Sequence, residues 1–236
     1  MKLVLATRNQ GKVRELAEML RNSRTPNRQP TTANSKEKRR SVTLASLRTA
    51  KCESRTANSQ RFPTANNCSI EVISLKSYSD APEVVEDGGT YAENAIKKAS
   101  VIAKYTGHLT LADDAGLEVN ALKGAPGVNS KRWVGENATD AKRIASLLEA
   151  LEGVTDRRAR FVAAIAIVRP DTDPEVVIGV CEGRITYTPA GESGFGYDPI
   201  FVPDGYEQTF AELGENIKNQ ISHRAKALQQ ALVLIR

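Results

Sequence analysis

The sequence predicts a mixed α/β fold in one domain, residues 1–236, interrupted by a basic low-complexity insertion at about 21–69. Three observations carry that reading. Short apolar runs of strand length alternate with segments whose apolar residues recur at helical spacing. Two longer runs, 160–168 and 175–186, read as an antiparallel pair joined at Pro170–Pro174. Hydrophobic content is 40%, enough for a core, yet no run reaches the ~18 apolar residues of a membrane span.

Residues 2–6 form a short apolar strand. Residues 11–20 follow as a helix with Val13, Leu16, Ala17 and Leu20 on one face. Residues 70–75 make a second strand. Thr90 and Glu93 have capping-box spacing. They open a helix that buries Ala92, Ala95, Ile96, Ala99, Ile102 and Ala103. Residues 109–112 and 116–119 are strands flanking Asp113-Asp114. Thr139 caps a helix running to about Leu151. After the long pair, 200–202 is a short strand. Ser222 caps the last helix, whose stripe is Ala225, Leu228, Leu232 and Ile235. No clean second domain appears.

The net charge of +5 points toward nucleic acid until its source is located. Residues 21–69 hold eleven Lys and Arg against Glu37 and Glu53, a surplus of +9, so the rest of the chain carries −4. That segment is rich in Ser, Thr, Asn and Arg. It repeats itself crudely, Thr32-Ala33-Asn34-Ser35 returning as Thr56-Ala57-Asn58-Ser59 and in part at Thr64-Ala65-Asn66. It has too little apolar surface to offset ordering and reads as a disordered, solvated insertion, with at most a short helix at 42–51. A nucleic-acid partner is not expected. Cys52, Cys68 and Cys181 form no CxxC pair, and two histidines do not make a zinc site. Residues 1–6 lack the features of a signal peptide, so the expected location is cytoplasmic, without membrane contact.

Five constellations invite chemistry. Thr7-Arg8-Asn9-Gln10-Gly11-Lys12 lies between a strand and a helix, where unpaired amides, the helix N-terminus and Lys12 suit a polyphosphate. It is not a Walker A loop, and alone it reads more readily as an ordinary βα turn with a surface lysine. Asp113-Asp114 puts two carboxylates on opposite sides of an extended chain. One or two carboxylates plus phosphates suit Mg²⁺; an acidic turn is the plain alternative. Glu86 stands in an acidic loop ahead of Thr90 and offers another carboxylate. Phe195-Gly196-Tyr197-Asp198 pairs aromatics with glycine, leaving room for a flat base to stack. Lys218, His223 and Arg224 gather donors at the start of the last helix.

Read in order, these stretches resemble the inosine triphosphate pyrophosphatase family. The matching segments are LATRNQGKVREL (5–16), GTYAENAIKKA (89–99), LADDAGLEVNAL (111–122), GAPGVNSKRWVGENATD (124–140), GESGFGYDPIFVP (191–203) and KNQISHRAKAL (218–228). Together they span nearly all of 1–20 and 70–236; most of the insertion has no counterpart. The resemblance implies a two-lobed α/β fold with a long mixed sheet, flanking helices and an active-site cleft. It also implies a homodimer, a Mg²⁺ cofactor and purine nucleoside triphosphates such as ITP, dITP and XTP as substrates. By motif, Thr7 to Lys12 would bind the triphosphate, and Glu86 and Asp114 would hold the metal. Asp114 would also be the general base. Lys98 and Arg132 would contact phosphate. Phe195, Gly196, Tyr197 and Asp198 would form the base pocket, completed by Lys218, His223 and Arg224. Where the family reads DDSGL, this chain has Ala115. The lost hydroxyl is expected to weaken substrate binding by about 1 kcal/mol without abolishing activity. Three other readings compete: a Maf-like enzyme for modified pyrimidine nucleotides, which the 195–199 and 222–224 stretches oppose; a nucleic-acid binder using the insertion; and an inactive relic.

Overall fold

A computed structural model describes residues 1–22, 59–62 and 70–235, with the backbone alone given for 21–22 and 59–62. The short helix expected at 42–51 lies outside the described residues. The elements run β1 (Lys2–Leu5), α1 (Gln10–Asn22), β2 (Ser59–Phe62), β3 (Ile70–Ser74), α2 (Tyr91–Thr106), β4 (Leu109–Val119), α3 (Asp140–Ala150), β5 (Arg158–Val168), β6 (Glu175–Ile185), β7 (Phe201–Pro203), α4 (Phe210–Ile221) and α5 (His223–Ile235). Among the described residues no helix is long and apolar enough to cross a membrane.

Seven strands make one mixed sheet in the order β2-β3-β1-β4-β5-β6-β7. β1 pairs in parallel with β3 and β4, and the remaining pairings are antiparallel. β5 and β6 form the expected long hairpin, Ile165 opposite Val177. Two expectations are corrected. β4 runs unbroken through Asp113-Asp114, in register with Ile165 and Ala164, because β5 supplies a continuous hydrogen-bonding edge along it. The insertion is not featureless: Ser59–Phe62 adds an edge strand, Phe62 opposite Ile70.

Three cores surround the sheet. Leu3, Leu5, Leu111, Ile165 and Ile167 pack on one face against Leu16 of α1 and Leu228 of α5. Val4, Ala112, Ala164 and Ala166 pack on the other against Ala95, Ala99 and Ile102 of α2. The far half of the long strands (Leu117, Val119, Phe161, Cys181) meets Leu147 of α3, Phe201 and Phe210. The two halves are the expected lobes, and Asp113 to Gly116 lie where they join.

Capping follows the sequence closely. Thr90 Oγ1 accepts from Glu93 N and Thr139 Oγ1 from Lys142 N. Ser222 Oγ accepts from Ala225 N, starting α5. The box at Thr90 is open on one side, since Glu93 Oε2 reaches back to Gly89 N and not to the cap residue.

α5 crosses β6 at Gly179, where a Cβ would stand 2.1 Å from His223 O and 2.5 Å from Ala227 N. Both obstacles are backbone, so neither can swing aside. Gly179→Ala is expected to cost about 1–3 kcal/mol through overpacking. Thermal unfolding should show a melting temperature several degrees lower; an unchanged melt would mean that α5 sits further out.

Candidate active site

β4 brings Asp113 and Asp114 to the junction of the lobes. Its two-residue period turns them to opposite faces of the sheet, as the alternation of an extended chain requires. Asp113 is 1% exposed, and its Oδ2 accepts from Arg224 Nε at 2.9 Å and pairs with Lys12 Nζ at 3.1 Å. Burial alone would raise its pKa, but Lys12 and Arg224 hold it well below the carboxylate range. Asp113 Oδ1 is buried with no hydrogen-bond partner.

Asp114 faces α2. Its Oδ2 accepts from Asn94 Nδ2 at 3.0 Å and its Oδ1 from Ala115 N at 3.0 Å. Lys98 Nζ donates to the Asp113 carbonyl at 2.6 Å, sits 3.2 Å from Glu86 Oε1 and 4.0 Å from Asp114 Oδ1. The two expected metal-binding carboxylates therefore converge on one ammonium. The Glu86 loop is pinned there by Gly88 N donating to Asn94 Oδ1 at 2.8 Å and by Arg132 Nη1 donating to Glu86 O at 2.7 Å. Burial, reinforced by Glu86, pushes Asp114 above the usual carboxylate pKa despite Lys98 and Lys12. Glu86 is lowered, because Lys98 and Lys12 outweigh its partial burial.

The 7–12 loop corrects one expectation. Its amides are not bare: Asn9 Oδ1 accepts from Gly11 N at 2.9 Å and Lys12 N at 3.3 Å, while Thr7 Oγ1 accepts from Asn9 N at 3.2 Å. Asn9 caps α1 as other Asx residues cap helices. Arg8 donates to Ala81 O at 2.6 Å and Gln10 to Arg8 O at 3.2 Å. Lys12 Nζ reaches inward to Asp113; burial lowers its pKa and the Asp113 carboxylate opposes that shift.

At the aromatic loop, Phe195 meets Gly11, where a Cβ would lie 3.1 Å from the ring. Lys218 Nζ and the Arg224 guanidinium stand 4.5 Å and 5.3 Å from the centre of the same ring. Asp198 is 2% exposed and accepts from Phe195 N at 2.9 Å and Lys218 Nζ at 2.6 Å. It fixes the loop from within, and Gly194 has no room for a Cβ beside it. Gly196 N donates to Asp140 Oδ2 at 2.7 Å.

Two residues of the expected base pocket face elsewhere. Tyr197 is 4% exposed, belongs to the far-lobe core and donates to Ser130 O at 3.0 Å, so it presents no ring to a ligand. His223 is not a charged donor. It stacks on Phe161 with ring centres 4.7 Å apart, and burial beside Arg224 and Lys218 keeps it neutral. Arg224 likewise turns inward, to Asp113 and to Glu15 Oε2 at 3.0 Å. Three residues were missed by the sequence reading. Asn94 bridges two parts of the site, Ser130 Oγ accepts from Leu117 N at 2.8 Å, and Glu15 is a buried carboxylate in α1. Only Asn94 left a signal, standing with Lys98 at i, i+4 on the buried side of α2.

Known proteins resemble the whole chain and not just this junction. A protein of Desulforamulus reducens, described as a dITP/XTP pyrophosphatase, is 44% identical over 237 residues, covering 100% of this chain and 96% of its own. Among solved structures, a HAM1 protein from Coxiella burnetii superposes with a TM-score of 0.74 at 37% identity, covering 100% of this chain and 98% of that one. The Staphylococcus aureus Ham1 protein gives 0.73 at 32% identity with the same coverages. The model of the Ham1 family matches residues 3–233, so the chain belongs to the Ham1 family.

Proposed function

We propose that this protein is a nucleoside-triphosphate pyrophosphohydrolase. It would cleave the non-canonical purine nucleotides ITP, dITP and XTP to the monophosphate and pyrophosphate, cleansing the nucleotide pool. The observation that carries the reading is the convergence of Glu86 and Asp114 on Lys98, beside the carboxylate that anchors Lys12. The description of the Desulforamulus reducens and Exiguobacterium relatives as dITP/XTP pyrophosphatases supports the substrate class.

The donor set fits Mg²⁺. Glu86 and Asp114 would hold it as two hard oxygen donors. Among the described residues no group of three or more His, Cys, Asp or Glu is assembled for a metal, which suits an ion whose remaining ligands are phosphates and water. When bound, Mg²⁺ supplies positive charge to the phosphate oxygens. The rest belongs to the chain. Thr7 to Lys12 lie at the start of α1, where the helix end favours an anion. Lys12, Lys98 and Arg132 add cationic charge around it. Asp114, raised in pKa by burial, takes the proton of the water that attacks the α-phosphorus, and pyrophosphate leaves. Phe195 gives the purine a face, with Lys218 and Arg224 as donors beside it. A 6-keto oxygen accepts from such donors; the 6-amino group of adenine leaves them unpaired.

The test is product analysis with purified protein and Mg²⁺ on ITP, dITP, XTP, GTP and ATP. Pyrophosphate release is expected, fast for the first three and slow for ATP, lost on chelation and restored by Mg²⁺. Orthophosphate as the first product would overturn the reading. The family resemblance carries a homodimer, to be checked in solution by sedimentation.

A further inference from the structure

α1 buries part of the face its apolar spacing suggests, and a carboxylate beside it. Val13 and Ala17 are half-buried, while Glu15, Leu16, Met19 and Leu20 are buried. Glu15 is 6% exposed and uses both carboxylate oxygens, Oε1 at 2.7 Å from Lys218 Nζ and Oε2 at 3.0 Å from Arg224 Nη1. Those two cations share the ring of Phe195. Each also has a second carboxylate: Asp198 for Lys218, Asp113 for Arg224. Asp113 continues to Lys12. The result is a buried row of alternating charge, Asp198, Lys218, Glu15, Arg224, Asp113, Lys12. It joins the aromatic loop to the start of α1.

Glu15 is the member shared by the two cations on Phe195. A buried charge pair contributes little net stability, yet it fixes geometry, because each lost contact strands a charge away from water. An ammonium has three protons, and the carboxylates of Glu15 and Asp198 take two of them on Lys218. Arg224 is held the same way by Nε and Nη1. The directions of the donors left over are therefore set by Glu15, a residue that touches no reacting atom.

We propose that Glu15 is a specificity-determining positioning residue, which aims Lys218 and Arg224 at the six-position of the purine. This rests on the purine triphosphate reading above and names the element that makes its discrimination possible.

The experiment compares wild type with Glu15→Gln and Glu15→Asp. Glutamine keeps the shape and removes the charge. Aspartate keeps the charge and falls one methylene short of bridging both cations, so it decides the matter should glutamine leave the protein unfolded. Three quantities are read: kcat and KM for ITP and for ATP, inhibition by inorganic triphosphate, which has no base, and the thermal melt. In a folded variant the preference for ITP over ATP should fall by about tenfold, the size of one charged hydrogen bond put out of line. The change should appear mainly as a higher KM for ITP. Inhibition by inorganic triphosphate should stay within about threefold of wild type, because Lys12 keeps Asp113. An unchanged ITP preference in either folded variant overturns the proposal. So does a loss of triphosphate inhibition in parallel with ITP, which marks Glu15 as general scaffolding. Failure of wild type itself to prefer ITP over ATP would strike the functional reading and, with it, the proposal that rests on it.

Discussion

Asp114→Asn is expected to reduce pyrophosphate release from ITP by roughly three orders of magnitude, with the fold retained. The substitution removes one of the two carboxylates that meet at Lys98, the group proposed to accept a proton from water. Its structural cost is small for a physical reason. Burial holds Asp114 above the ordinary carboxylate pKa, so its ionised form is disfavoured in the folded state and costs stability at neutral pH. Removing the charge relieves that cost. Opposing it is one mismatch, since an amide nitrogen would face either Asn94 Nδ2 or Ala115 N. Asn94 cannot turn to accommodate it without releasing Gly88 N. The melting temperature should therefore move by only a few degrees. Steady-state kinetics and a thermal melt on the same samples check both parts. A variant that keeps a tenth of wild-type activity with a normal melt removes Asp114 from the chemistry.

How much of this was written in the sequence differs between levels. The element order was legible because caps and apolar periods are local. Thr90, Thr139 and Ser222 each start the helix that their spacing indicates. The unbroken β4 was not legible, since an Asp-Asp step reads as a turn until β5 is seen to pair along its whole length. Thr7 to Lys12, Glu86 and Asp114 were legible as motifs, but their partners were not. Glu15 and Arg224 are 209 positions apart, and the contact exists only once α5 is folded against α1. The same closure explains His223 and Tyr197. Their residue types suit a ligand, yet Phe161 and Ser130, brought in by other elements, take them into the interior.

Asp113→Asn, one residue along the same strand, should give the opposite phenotype. Asp113 is buried and compensates Lys12 and Arg224, both of which its Oδ2 holds within 3.1 Å. Neutralising it leaves Lys12 without its carboxylate partner and Arg224 with Glu15 alone, and breaking a buried pair from one side costs about 3–5 kcal/mol. For a chain of this size that corresponds to a melting temperature lower by about 10 °C or more. The sign with pH follows from the direction of the shift. The folded pKa lies well below the ordinary value, so the stabilisation is fully present above about pH 4 and drains away as pH falls further. Wild type should lose stability on acidification through this group, while the variant has nothing there to lose. The gap between the two, measured by urea unfolding at pH 7 and near pH 3, should therefore narrow in acid. A gap that stays constant with pH would mean that Asp113 is not ionised against Lys12 and Arg224. The pair of neighbouring substitutions would thus separate the faces of β4: the Asp114 side, proposed to carry the chemistry, has little stake in the fold, and the Asp113 side holds the cationic residues Lys12 and Arg224 of α1 and α5 together.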